Sequence, residues 1–226
     1  MTITEGLQNQ LEERTARALA PAFRDSRRLI SEQLEAALGR GETLADLPLD
    51  AWDNLAASLE EAIRPRLEAA YIEAARELSD ALAYGLDENA LELAAQGWAE
   101  AYGFDLVTDI NATSRDRLSS VLTDFFAAPM NNQELSERLT AIYGPGRANT
   151  IAITEVTRSA AEGQAWVARQ LGAAGVTMIP IWETRLDEFV CRVCGPRHDT
   201  AQGTSWFMLP PAHTGCRCGV RYQYLA

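Results

Sequence analysis

The sequence predicts an α+β fold that is mainly α. Long antiparallel helices form an N-terminal bundle or arm. A small C-terminal domain follows, with a helix, a short antiparallel sheet and a Cys/His knot of the zinc type. Three observations predict this. Apolar residues recur at three and four positions through the first two thirds of the chain. Beyond Gly175 the period changes to the alternation of β-strands. All four cysteines fall within a stretch of 28 residues near the end, Cys191 to Cys218.

The first helix carries Leu7, Leu11, Ala18 and Leu19, then Leu29, Ile30, Leu34, Ala37 and Leu38 beyond Pro21, and stops at Gly39-Arg40-Gly41. Leu44 to Pro48 reads as a connector. A second helix is expected from about Asp50 to Ala83, on Leu55, Leu59, Ile63, Leu67, Ala70 and Ala74, with Pro65 as a site for a kink. The two together resemble an antiparallel αα-hairpin. Asp87 or Asn89 caps a third helix through Leu91, Leu93, Ala94, Trp98 and Tyr102, which Gly103 ends or interrupts. Thr113-x-x-Asp116 resembles a capping box that opens another helix. Asn132 is expected to cap a helix that stops at Gly144-Pro145-Gly146, and a further helix spans about Arg147 to Leu171. Thr177–Thr184 and Gly219–Leu225 read as two strands that pair antiparallel with the cysteine loops between them. The best domain boundary lies at Gly144–Gly146. It divides an acidic helical region, 1–143, from a C-terminal domain, 144–226.

The metal-binding residue types are confined to the second part. Cys191-x2-Cys194 is followed by His213-x2-Cys216-x-Cys218, and His198 and His213 are the only histidines. Such crowding suits one tetrahedral zinc site. A pair of disulfides is the rival reading, but the opening MTITEGLQNQLEERTARAL has neither a basic n-region nor an apolar h-region. A thioredoxin-like pair needs a βαβ setting that the pattern lacks. Cys191 and Cys194 are the safest ligands. His213, Cys216 and Cys218 compete for the remaining positions, with Gly215 and Gly219 permitting a tight turn. His198 reads as a loop residue. Thiolate-rich coordination favours a structural site over a catalytic one.

Composition narrows the function further. The chain has 226 residues, 47% of them hydrophobic, and a net charge of -12. Residues 1–143 carry 12 Arg against 26 Asp and Glu, whereas 144–226 carry 8 Arg against 6; there is no lysine. The acidic part is unsuited to wrapping nucleic acid, whose affinity comes largely from neutralised phosphates. Any weak DNA contact therefore falls to the C-terminal domain, where Arg192, Arg197, Arg217 and Arg221 surround the cysteines. Those arginines read more simply as solvated loop residues or as counter-charges to thiolates. No stretch approaches the ~20 apolar residues of a membrane span, so no membrane association is expected.

An ordered set of residues resembles the phage Mu F-like minor head proteins, also called head morphogenesis proteins. It comprises Ile153-Thr154-Glu155-x-x-Arg158 with Ala160-x-x-Gly163, then Trp182-x-Thr184, Asp187, Cys191-x2-Cys194, and finally Pro210-Pro211-x-His213-x-x-Cys216-Arg217-Cys218. Thr214 stands where a proline is usual. The likeness covers about residues 140–226; residues 95–140 match loosely through Trp98, Tyr102 and Thr113-Ser114-Arg115. The resemblance implies a structural, non-enzymatic minor capsid protein of a tailed phage. Such a protein associates with the portal inside the head and aids assembly or DNA packaging and ejection. It implies the portal, and scaffold or major capsid protein, as partners. It implies the virion interior as the location, with the host cytoplasm during assembly.

Several of these residues have more than one reading. Glu155 and Arg158 sit at i and i+3 and can pair on one helix face. A nuclease or transferase would instead use Glu155, His213 and Arg217, the last two as general acid and phosphate clamp. A zinc-dependent nucleic-acid-binding module is a third class. Trp182 and Trp206 flank the cysteines and are expected to pack over the metal site. Asp187 can cap the turn into the cysteine loop or support a ligand.

Overall fold

The computed structural model describes residues 3–40, 51–127, 130–188 and 190–225. Among the described residues, five α-helices precede two strands: α1 Glu5–Arg40, α2 Ala51–Ala81, α3 Glu88–Ala127, α4 Asn132–Tyr143, α5 Pro145–Ala173, β1 Met178–Glu183 and β2 Gly219–Tyr224. The fold is α+β, mainly α, with a two-stranded antiparallel sheet in the register Met178↔Tyr224 to Glu183↔Gly219. The expected connector Leu44–Pro48 and the Gly41 stop lie outside the described residues. Among the described residues, no helix is long and apolar enough to cross a membrane.

Local chemistry sets most helix ends. Asp87 caps α3 by accepting from the Ala90 N–H at 3.1 Å, which decides between the two expected caps. Asn131, not Asn132, caps α4: its side chain accepts from the Glu134 N–H at 2.8 Å, and Asn132 is already helical. α5 starts at Pro145, two residues earlier than expected, because proline at a first helical position gives up only an N–H that has no partner there. Pro21 and Pro65 lie inside α1 and α2 without ending them.

The largest departure is in α3. A break at Gly103 and a new helix at Thr113 were expected, yet one helix of 40 residues runs through both. Leu106, Val107, Ile110, Leu118 and Leu122 are all buried, so the apolar stripe is continuous there. That burial outweighs the ~1 kcal/mol that glycine costs in a helix. Thr113 does not cap; its hydroxyl donates to the Asp109 carbonyl one turn back, at 2.8 Å. Leu93 belongs to no buried stripe and is 70% exposed.

The compact units do not follow the boundary expected at Gly144–Gly146. One unit combines Met1–Thr15, Pro65–Ala99 and Thr150–Ala226; the other combines Ala16–Arg64 and Glu100–Asn149. The position between 143 and 144 falls inside the second unit. Long helices contribute different segments to each core, so a change of composition along the chain need not mark a change of unit.

In the first unit, Ile3 and Leu11 of α1 pack with Ala70 and Ala74 of α2 and with Val156 and Ala160 of α5. A second cluster joins Tyr71, Ala75 and Leu78 of α2 with Leu91 and Ala95 of α3, Val167 and Leu171 of α5, Trp182, Trp206, Val220 and three cysteines. In the other unit Arg147 donates to the carbonyls of Ile142 and Ile110 at 3.1 and 3.2 Å, and its guanidinium lies over the Phe23 ring.

Gly163 gives the small-residue motif of α5 a physical reason. A Cβ built there would sit 2.1 Å from the Tyr71 carbonyl oxygen, so α2 and α5 touch backbone to backbone. Gly97 of α3 is also helical, but a Cβ there meets nothing within 4 Å. Gly163→Ala is expected to cost about 1–3 kcal/mol through forced separation of two packed helices. Gly97→Ala is expected to stabilise by roughly 0.5–1 kcal/mol through reduced chain entropy. Urea denaturation of the two variants checks the opposite signs.

Candidate metal centre

The centre is built in the segment between β1 and β2. A 3-10 turn, Gly195–Arg197, follows Cys194, and backbone N–H groups of Cys194 and Gly195 both donate to the Cys191 carbonyl, at 3.2 and 2.9 Å. This tight turn aims both sulfurs of Cys191-x2-Cys194 the same way. On the other side, Gly215 lies at φ 76°, a conformation glycine adopts without penalty. Its N–H donates to the Thr154 hydroxyl of α5 at 2.8 Å, which fixes the second loop to the helix. Gly219, also expected to permit that tight turn, is instead the first residue of β2.

All five candidate ligands converge in two overlapping triads. Cys191, Cys194 and His213 form one, and Cys194, Cys216 and Cys218 the other; in each, the donor atoms lie within 4.8 Å of one another. Cys194 belongs to both. The inner triad is buried, whereas Cys191 is half-buried and His213 exposed. No disulfide joins any of the four cysteines. The Cys194–Cys216 separation is 3.7 Å, close to the edge of about 3.8 Å that a tetrahedron with Zn–S bonds of 2.3 Å requires. The His213 Nε2 lies 3.0 Å from the Cys191 sulfur and 3.4 Å from that of Cys194.

The tautomer suits coordination as well. The His213 Nδ1–H donates to the Thr214 carbonyl at 2.9 Å, which turns Nε2 toward the sulfurs. Metal-bound histidines ordinarily use their second nitrogen this way.

Protonation follows from the crowding. The Cys218 S–H donates to Cys216, and the N–H groups of Cys218 and Ala212 add to this, so the Cys216 thiol falls to about 5 despite its burial. Burial and the neighbouring Cys216 charge raise Cys194 to about 12. Cys218 is pushed up, first by the proton it gives to Cys216 and then by burial. For Cys191, desolvation pushes upward but the N–H groups of Cys194 and Val193 and the charge of His213 outweigh it, leaving the thiol below its ordinary value. His213 is raised, chiefly by its bond to Thr214. The protein alone therefore holds part of the set ionised and part protonated. A divalent ion reverses that balance by deprotonating its ligands.

The surroundings are aromatic and hydrogen-bonded. Trp182 and Trp206 are buried in the same cluster as Cys194, Cys216 and Cys218, packed edge to face with centroids 5.1 Å apart. The Trp206 indole donates to the Thr200 carbonyl at 3.0 Å. Arg197 lies over the Trp182 ring at 5.1 Å. His198 is no ligand; its Nδ1 accepts from the Thr184 N–H at 3.1 Å and ties the 3-10 turn to the end of β1. Asp187 is exposed, and its carbonyl accepts from the Val190 N–H at 3.3 Å.

Glu155 and Arg158 pair at 3.3 Å on α5, with the Glu155 side chain only 6% exposed. Of the four arginines around the cysteines, three have protein partners. Arg197 stacks on Trp182, Arg221 pairs with Asp199 at 2.9 Å, and Arg217 pairs with Glu12 of α1 at 2.6 Å. Glu12, with Gln8 beside it, escapes a reading by hydrophobic period, because a polar residue on an amphipathic helix looks solvent-facing. The one available signal was that position 12 directly follows Leu11 of the stripe. Burial raises the Glu12 carboxyl more than Arg217, Gln8 and Arg185 lower it. Its pair with Arg217 therefore contributes position more than stability.

No family model, curated protein or solved structure matches the chain.

The centre is expected to take one divalent ion per chain and to release protons as it binds, since the thiols raised by burial and crowding, Cys194 and Cys218, must lose theirs to coordinate. Affinity then rises with pH. Calorimetry in buffers of different ionisation enthalpy measures this, and an affinity independent of pH contradicts it. Cys194→Ser, which breaks both triads, is expected to abolish binding, while His213→Ala, which breaks one, weakens it.

Proposed function

We propose that the chain is a structural minor head protein of the phage Mu F-like type, whose C-terminal domain is closed by one Zn2+. The observation that carries this reading is convergence. The ordered motif residues Thr154, Trp182, Cys191, Cys194, His213 and Cys216-Arg217-Cys218 are spread over α5, β1 and two loops. They nevertheless take part in one ligand cluster and its immediate supports. Mere compositional likeness has no reason to meet at one place.

The chemistry supports a structural ion rather than a catalytic one. A catalytic zinc keeps a coordination position for water or substrate, whereas a structural one is closed by four protein ligands. Here five protein donors compete for those four positions. The nuclease or transferase reading fares worse on geometry. The His213 Nε2 faces two sulfurs and Arg217 is paired with Glu12, so neither is placed to act as acid or phosphate clamp. A zinc-dependent nucleic-acid module meets the same difficulty, since Arg197, Arg217 and Arg221 have partners within the protein. Any DNA contact would be weak and confined to the C-terminal domain.

In this reading the zinc-closed domain anchors acidic helices that dock on the portal, or on scaffold or major capsid protein, inside the head. The protein is made in the host cytoplasm and retained in the virion. The test is a phage carrying Cys194→Ser. Infectious particles are expected to be lost, with heads that lack this protein and with no portal recovered alongside it. Normal assembly of that variant would remove the structural role of the metal.

A further inference from the structure

The contact between Glu12 and Arg217 joins residues 205 positions apart and reaches the middle of the ligand pair. Arg217 is the single residue between Cys216 and Cys218, so the direction of its side chain and the aim of the two sulfurs share one short stretch of backbone. Glu12 is a firm anchor for it. The carboxylate is 4% exposed. Its second oxygen accepts from the Gln8 amide at 3.0 Å, and that same amide is 3.2 Å from the Thr157 hydroxyl of α5. The Gln8 carbonyl in turn accepts from Arg185, which lies 3.4 Å from Glu5. The residues at 5, 8 and 12 share one face of α1. The loop holding Cys216 and Cys218 is thus gripped twice, by Thr154 of α5 at Gly215 and by Glu12 of α1 at Arg217.

We propose that Glu12 is a positioning residue for the metal centre, setting the Cys216 and Cys218 sulfurs through Arg217. This rests on the reading that the centre binds zinc. Two effects of removing the Glu12 charge oppose each other. Freed from Glu12, Arg217 would stand as an uncompensated cation beside a thiolate-rich ion, which strengthens binding. It would also lose its fixed direction, which weakens binding. Arg217 is 45% exposed, so water screens the first effect, and the loss of position dominates. Supports of this kind are worth roughly 10–100-fold in metal affinity.

The test measures zinc affinity of the full chain by chelator competition for wild type, Glu12→Gln, Arg217→Gln and the double variant, with circular dichroism to confirm folding. Each single variant is expected to lose about tenfold in affinity, and the double variant no more than one of them, because both act along one path. Cobalt-substituted Glu12→Gln is expected to show altered d–d and thiolate-to-cobalt bands. Should Glu12→Gln fail to fold, Arg217→Gln, at a half-exposed position, carries the same expectation for affinity and spectrum. Unchanged or tighter zinc binding, additive losses, or an unaltered cobalt spectrum overturns the proposal while leaving the zinc reading intact. Wild-type protein that binds no zinc overturns both.

Discussion

Four sulfurs and one imidazole nitrogen share a space in which neighbouring donor atoms come as close as 3.0 Å, and three of the sulfurs are buried. Thiolates as close as the 3.7 Å between the Cys194 and Cys216 sulfurs repel, and thiols bury weak donors for little return. A divalent ion removes both difficulties, because it binds the ionised forms and supplies the opposing charge. In the proposed zinc-closed reading, the rest of the C-terminal region depends on such an ion. β1 and β2 have six residues each, and a two-stranded sheet is stable in water only when it packs on other elements, as Trp182 and Val220 do on the helices. Among the described residues of the long segment joining them, the only helix is one 3-10 turn. Loops beyond roughly 12–15 residues ordinarily have a function or are disordered. An ion held by the five donors would divide the segment into short spans; structural zinc sites contribute apparent free energies on the order of 10–16 kcal/mol.

Around the centre, charge is used for placement. Buried ion pairs contribute little net stability because desolvation offsets attraction. Glu12 and Glu155 are nevertheless buried, each beside an arginine. Such pairs fix which helix meets which loop. Glu12 joins the start of the chain to the ligand loop, and Thr154 joins α5 to the same loop. Apolar residues on the same helices, Leu11, Ala70, Val156 and Ala160 among them, supply attraction without choosing a partner. Gly163 adds a steric selection, since only a residue without a side chain lets α5 meet Tyr71 so closely.

Much of this was legible in the sequence, for identifiable reasons. The helices follow from a 3.6-residue period, the strands from alternation, and the donor cluster from spacing alone; Cys191, Cys194, His213, Cys216 and Cys218 all meet as expected. Local rules failed where burial overrode them. Thr113 looks like a cap, but a continuous buried stripe carries α3 past it. Asn131 and Asn132 are adjacent identical residues, and only backbone geometry tells the cap from the first helical position. The unit division was illegible because α1, α2 and α3 each serve two cores, a property of packing that leaves no mark on composition. Glu12 was missed for a related reason: its partner lies at the far end of the chain, and pairing over such a separation is invisible to any window.

The most direct measurement is zinc-edge X-ray absorption on freshly purified, reduced protein. The account predicts one zinc per chain, with a first shell of three or four sulfurs at about 2.3 Å and at most one nitrogen. A chain without zinc whose four thiols all react freely, or a shell dominated by oxygen, would contradict it.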